Sequence, residues 1–291
     1  MNLLPFLVAG LVIGSVYALS GVGVLVLYRT TGVLNFAHGA IGALAAMLLW
    51  QLVPTQGRLQ PAIGIAVCIL IAAAAALLFG LLAGPYLARI DELRKAIATL
   101  GFALVIIGVL LFTWNDKART LRLDTSSIAI NVGGSRVNLT QIICLLLAVL
   151  VVVATVLAFR YTSIGMSMRA LASDRELASV VGTNVRLVEN VAWALSGAIA
   201  GASGILLANQ TRLEPAFLTF LIIPELAAVV IGRFSSLWLT LVGGLVIGVL
   251  QTLASAWEPI TAYATIVPFL IATVVILIGR RRVLTIGVVR S

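Results

Sequence analysis

Long apolar runs, most near the length needed to cross a lipid bilayer, alternate with short polar breaks along almost the whole chain. A hydrocarbon core of about 30 Å takes about 20 helical residues. The runs at 4–28, 36–53, 62–87, 96–114, 139–159, 187–208, 217–231, 237–257 and 262–278 meet or approach that length. The pattern predicts an all-α, polytopic transmembrane bundle of about 8–9 spans, organised as one domain over 1–291. Two places break the rhythm. The 217–231 run is short and contains Pro224 and Glu225, so a broken or re-entrant segment is expected there. After Tyr28, the residues Thr30, Thr31, Gly32 and Asn35 interrupt two apolar runs, which suits a half-helix starting within the bilayer.

Composition excludes a water-soluble alternative: 62% of the residues are hydrophobic and 10% charged, against about 25% charged in soluble domains. The net charge of +9 would suggest nucleic acid in a soluble chain. Here the basic residues sit between spans and report orientation. Arg29, Arg94, Lys95, Arg160, Arg169, Arg175, Arg186, Arg233 and the tail arginines 280–282 and 290 fall on one side, with Arg89. The smaller group of Arg58, Lys117, Arg119, Arg122, Arg136 and Arg212 falls on the other. The first group is expected in the cytoplasm, the N-terminus outside and the C-terminus inside. The polar insert at about 115–138 then faces the exterior, as a partner contact or as a solvated connector. Cys68 and Cys144 lie within apolar runs and lack metal-site spacing, and the first apolar run has no basic leader before it.

The largest basic loop, about 160–186, carries helix-coded punctuation. Ser173-Asp174-Arg175-Glu176 has the form of a capping box, with Ser173 as the cap and a short helix beginning at Asp174. Gly182 stands where such a helix would close in a left-handed conformation. A compact capped helix pair in a cytoplasmic loop, with Arg169, Asp174, Arg175 and Glu176 on its surface, reads as a docking element.

Glycine pairs at four-residue spacing, Gly10/Gly14, Gly80/Gly84, Gly197/Gly201 and Gly244/Gly248, allow close helix approach. Among 26 glycines some pairs arise by chance, and the small-residue stretch 197–204 is the one expected to pack. The tetrapeptide Ala-Leu-Ser-Gly occurs at 18–21 and again at 194–197, either as the echo of an inverted repeat or, more simply, by chance in so Ala- and Leu-rich a chain.

Chemistry within the spans is sparse. The only lysines, Lys95 and Lys117, are each followed by alanine, so no phosphate-binding P-loop exists. Intramembrane ionisable groups reduce to His38, Glu225 and Glu189. Asn35 and His38, three apart, are placed to share a helix face and to offer hydrogen bonds to a permeant molecule, or else to cap the second span and satisfy a carbonyl. Glu225 beside Pro224 is placed to line a pathway or to serve as a structural acid. No cluster of nucleophile and base or of metal ligands can be assembled, and no catalytic role is expected.

Two motifs resemble a known family, the permease subunits of branched-chain amino-acid ABC importers of the LivH type. One is Gly14-Ser15-Val16-Tyr17-Ala18-Leu19, followed by Tyr28 and then Val33-Leu34-Asn35-Phe36-Ala37-His38-Gly39. The other is Ile164-Gly165-Met166-Ser167-Met168-Arg169-Ala170 with Ala178 and Gly182. The resemblance covers almost the whole chain and implies a single permease domain in the bacterial inner membrane. It also implies a related second permease, two cytoplasmic ATP-binding subunits holding ATP and Mg, and a periplasmic binding protein. It assigns Arg169, Ala170, Ser173, Asp174, Glu176, Ala178 and Gly182 to coupling with the ATPases, and leaves Asn35, His38 and Glu225 as path candidates. The implied cargo is branched-chain or other apolar amino acids, with urea, short amides and aromatic acids as alternatives. The rival class is a self-sufficient channel or secondary carrier using His38 and Glu225 as its ion-coupling pair. The chain departs from the family at Gly232-Arg233-Phe234-Ser235-Ser236, where Gly-Gly-x-Gly-Ser is usual, and at Pro224-Glu225, which replaces an uncharged or lysine-bearing stretch.

Overall fold

The structure, a computed structural model, describes residues 4–52, 60–88, 90–121, 129–132, 135–257, 264, 266–275 and 277. The helices long and apolar enough to cross a membrane are α1 (Leu4–Thr31), α3 (Pro61–Leu87), α4 (Glu92–Trp114), α5 (Leu139–Tyr161), α8 (Val185–Gln210) and α11 (Leu237–Ser255). Shorter apolar helices are α2 (His38–Leu52) and the pair α9 (Pro215–Phe220) and α10 (Ile222–Ile231). Between α5 and α8 lie α6 (Ser163–Ser173) and α7 (Arg175–Val180). A small antiparallel hairpin of β1 (Ala129–Val132) and β2 (Ser135–Asn138) sets Ala129 opposite Asn138, in the loop before α5. Residues 267–275 and 277 are helical, while 262, 263, 265, 276 and 278 of the last expected span and the arginine tail lie outside the described residues.

Burial sorts the long helices. In α1 and α8 the most apolar windows are 89% and 67% buried, whereas those of α3, α4 and α5 are 22% buried. The outer helices present leucine and valine side chains outward, as lipid requires, and α1 and α8 form the centre. These two run antiparallel: Ser20 of α1 shares a cavity with Ala200 and Ser203 of α8, and Val26 shares another with Leu195 and Ile199. Each central helix is followed by a tight break and a short apolar helix. After α1 the chain turns at Gly32 (φ +67°) into α2. With 15 residues α2 is only about 22 Å long, so it cannot cross the hydrocarbon alone.

After α8 the chain turns into α9 and α10, which are broken at Leu221, whose N–H donates to the Leu218 carbonyl at 3.3 Å. Pro224 does not open this segment. It is the third residue of α10, in a first turn whose N–H groups have no intrahelical acceptor, so its missing donor costs nothing there.

Small residues set the closest crossings. A side chain on Gly204 would stand on the backbone of Gly42, which joins α8 to α2, and Gly197 and Gly201 meet Ala72 and Ala76 of α3. The α1–α11 crossing is built the same way, Gly10 and Gly14 against Gly244, Leu245 and Gly248. These pairs are therefore packing devices and not chance. Gly80 lies under the Trp193 ring, whereas nothing approaches Gly84. Cys68 and Cys144 are buried and free.

The two ends of the bundle are distinct. At one, Tyr28, Arg29, Leu171, Arg175 and Phe234 surround a cleft, and the Tyr28 and Phe234 rings are 5.0 Å apart. At the other, Arg119 and Leu213 exchange backbone hydrogen bonds of 3.0 Å, and the Arg119 guanidinium lies 4.9 Å from the Trp50 ring centre. The 160–186 and 232–236 segments thus share an end, opposite residues 115–121, matching the charge pattern.

Candidate functional site

Two groups of residues stand out, one deep in the bundle and one at its end. The deep group forms where the break after α1 delivers α2 into the centre. Asn35 closes a turn, its side-chain oxygen accepting from the Ala37 N–H at 3.0 Å, and its carbonyl accepts from the His38 N–H at 3.3 Å. Thr99 of α4 pins the same segment, donating to the Leu34 carbonyl at 3.0 Å and accepting from the Phe36 N–H at 3.3 Å. Asn35 therefore precedes α2 and does not share a helix face with His38, because its own side chain holds the backbone in a turn at that point.

His38, the first residue of α2, is fully enclosed, and its ring sits against Gly23, where no other residue would leave room. Its Nδ1 is 3.3 Å from the Ser196 hydroxyl of α8. Glu225 lies in the first turn of α10 and is 4% exposed. Among the described residues the salt bridges join Arg94 to Asp91 and Arg175 to Glu189, so neither reaches Glu225. His38 and Glu225, far apart in sequence, line one small cavity together with Ser20 of α1 and Ser203 of α8. Asn35 is not part of its lining. Ser20 Oγ, His38 Nε2 and Glu225 Oε2 are buried there without a hydrogen-bond partner within 3.5 Å, Ser20 being the side chain that faces Glu225, and Asn35 Nδ2 is likewise unpartnered outside it.

Sequence reasoning missed Ser20, Ser196 and Ser203. The repeated Ala-Leu-Ser-Gly was the available signal: its two serines, Ser20 and Ser196, flank this cluster from the two central helices.

The second group is the α6–α7 pair. Thr162 caps α6 by accepting from the Gly165 N–H at 3.0 Å, and Gly165 packs on the Ala158 carbonyl, folding α6 back on the end of α5. The expected capping box is displaced by one residue. Ser173 ends α6 and keeps a helical backbone, so it cannot take the extended conformation a cap needs. Asp174 (φ −157°, ψ 114°) is the cap instead, accepting from the Leu177 N–H at 2.9 Å, which leaves Glu176 at the second helical position without a reciprocal bond to make.

The far end follows the expectation. Gly182 has φ +89°, its N–H donates to the Ser179 carbonyl and the Thr183 N–H to the Ala178 carbonyl, the paired closure of a glycine-capped helix. Arg169, Ala170, Ser173, Asp174, Glu176 and Gly182 are exposed, while Ala178 turns inward with Met168 and Leu171. Leu177, Val180 and Val181 are exposed at 62%, 82% and 79%, an apolar patch rimmed by those charged residues. Arg175 reaches back in a two-pronged ion pair to Glu189 on α8, the second contact being 3.2 Å. The α6–α7 pair is thereby tied to a central helix of the bundle.

A polytopic bundle with antiparallel central helices and short broken helices beside each has the architecture of a membrane-embedded transport subunit. More particularly, the chain belongs to the branched-chain amino acid transport system permease component family, whose model matches residues 6–277. It is similar to the high-affinity branched-chain amino acid transport system permease protein LivH of Escherichia coli (strain K12), being 25% identical over 92% of this chain and 91% of that one. The probable branched-chain amino acid transport permease protein LivH of Methanocaldococcus jannaschii is 25% identical over 84% of this chain and 78% of its own. The permease protein BraD of the high-affinity branched-chain amino acid transport system of Pseudomonas aeruginosa is 24% identical over 84% of each chain.

Proposed function

We propose that this chain is the permease subunit of an ATP-driven importer for branched-chain or related apolar amino acids, and that α6–α7 is where ATP-hydrolysing partners push on it. The exposed Leu177, Val180 and Val181 carry this reading. An apolar patch on a short helix at the water-facing end of a membrane protein is unfavourable unless another protein covers it. Its charged rim of Arg169, Asp174 and Glu176 gives that partner a defined seat.

In this reading the chain acts as one permease domain with its N-terminus outside and its C-terminus and α6–α7 in the cytoplasm. A second, related permease completes the pathway, two cytoplasmic subunits bind ATP and Mg, and an exterior binding protein delivers the amino acid. Motion passes from α7 through the Arg175–Glu189 ion pair to α8, which carries Ser196 and Ser203. His38 and Glu225 mark the constriction that this motion opens, and Asn35 positions the segment leading to it.

Gly182→Val tests the coupling role. An added side chain at Gly182 meets nothing within 4 Å, so the substitution perturbs only the left-handed backbone. It costs about 1–2 kcal/mol at the cap that ends α7. Membrane insertion should be unchanged, ATP hydrolysis by the assembled transporter should persist, and amino-acid uptake per ATP should fall about tenfold. Uptake per ATP equal to that of the native chain would remove α7 from the coupling path.

A further inference from the structure

We propose that the cavity bounded by Ser20, His38, Ser203 and Glu225 is a recognition site for an ammonium group. The proposal deepens the permease reading, because the amino group of the transported amino acid is the source which that reading supplies.

The polar atoms facing the cavity come from separate elements: Ser20 from α1, His38 from α2, Ser203 from α8 and Glu225 from α10. All four residues are at least nine-tenths buried, and three of them hold polar atoms with no partner. Buried polar atoms are rarely left so, and a cluster of them around one space marks the place of a hydrogen-bonding guest. The space is about 10 Å³, on the order of a single water or ammonium head group.

The chemistry on offer is chiefly that of acceptors, with the Ser20 hydroxyl able to donate or accept. Glu225 presents a carboxyl oxygen. The Ser203 hydroxyl hydrogen is committed to the Ala200 carbonyl at 3.1 Å, so this group turns lone pairs to the cavity. In the tautomer that donates from Nδ1 to Ser196, His38 turns the Nε2 lone pair the same way. Converging acceptors call for a guest rich in donors, and an ammonium group carries three N–H donors and accepts nothing. It also supplies the positive charge that a carboxyl so deeply enclosed needs in order to ionise, since neither salt bridge among the described residues reaches Glu225. Gly39, Gly42 and Gly204 in the walls bring the surrounding backbones close together, and a space of about 10 Å³ takes the head group only, so an amino acid would enter amino end first.

The test uses the complete transporter in lipid nanodiscs, with thermal unfolding of the permease as the readout. Ammonium chloride is compared with potassium chloride at equal ionic strength, and leucine with 4-methylpentanoate, the same skeleton without its amino group. The melting temperature should rise with ammonium, leucine or both, and stay unchanged with potassium and 4-methylpentanoate. A response to leucine alone assigns the site to the cargo, and a response to ammonium alone assigns it to the free cation.

Glu225→Gln should weaken the apparent affinity about tenfold or more, and Ser20→Ala by a smaller factor. Ser20→Ala also serves as the variant should Glu225→Gln fail to assemble. The proposal is overturned if potassium matches ammonium, if 4-methylpentanoate matches leucine, or if the variants respond as the native chain does. Because uptake is not measured here, such a failure leaves the permease reading to be judged on Gly182→Val.

Discussion

Gly182 and Arg233 occupy the same left-handed backbone region, at φ +89° and +52°, and only the glycine does so without cost. Phe234 follows at φ +54°, held by its ring contact with Tyr28. This is the segment where the resemblance leads one to expect a glycine-rich pattern, and the residues present make a strained turn against the end of α1. Arg233 is exposed and makes no salt bridge among the described residues, so Arg233→Gly should raise stability by about 1 kcal/mol, read as a higher melting temperature. A lower melting temperature would mean that the arginine side chain contributes more than its backbone strain takes away.

At this scale the sequence was legible where a residue type is rare in its setting: a lone histidine and an acid inside apolar spans, or a glycine after a capped turn. Ser20, Ser196 and Ser203 were not legible, because serines are common in membrane helices and usually bond back to their own helix, as Ser203 does to Ala200. The cavity that Ser20 and Ser203 share, with Ser196 beside it against His38, exists only once α1 and α8 are set antiparallel.

Among the elements, the glycine crossings separate those that hold the bundle together from those that are incidental. A side chain added at Gly14 would come within 2.9 Å of the Gly244 carbonyl, the Leu245 Cα and the Leu245 carbonyl, all backbone that cannot turn aside. Gly14→Ala should therefore cost about 1–3 kcal/mol, measured by unfolding in mixed micelles. Gly84→Ala, with nothing within 4 Å, should be neutral or slightly stabilising. Equal effects of the two substitutions would contradict the α1–α11 packing. Both pairs share the same spacing in sequence, which is why spacing alone could not tell them apart: the outcome depends on which helix lies opposite.

The one-residue shift at the start of α7 has a similar origin. Serine and aspartate cap about equally well, and the choice fell to Asp174 because α6 stays helical through Ser173.

In the whole molecule, hydropathy and charge foresaw the all-α bundle, its broken segments and the end shared by α6–α7 with residues 232–236. They did not reveal that α1 and α8 form the core while the more apolar α3, α4 and α5 face outward, since apolar side chains suit lipid and protein interiors alike. From that arrangement comes the functional geometry: a polar cavity at the centre, joined through α8 and the Arg175–Glu189 ion pair to a capped helix at the surface. The cap and the exposed patch are tied by that ion pair to the first part of α8, and Ser196 and Ser203 lie farther along the same helix.

The most direct test of this account is site-directed cross-linking in the assembled transporter. A cysteine replacing Val180, which is 82% exposed on α7, should cross-link to an ATP-hydrolysing subunit, and the yield should change when nucleotide is bound. A cysteine replacing Phe112, 92% exposed on the outer helix α4, should give no such product. Cross-links from Val180 to lipid or solvent reagents alone, with the ATP-hydrolysing subunits captured from some other surface, would contradict the claim that force enters this protein through α6–α7.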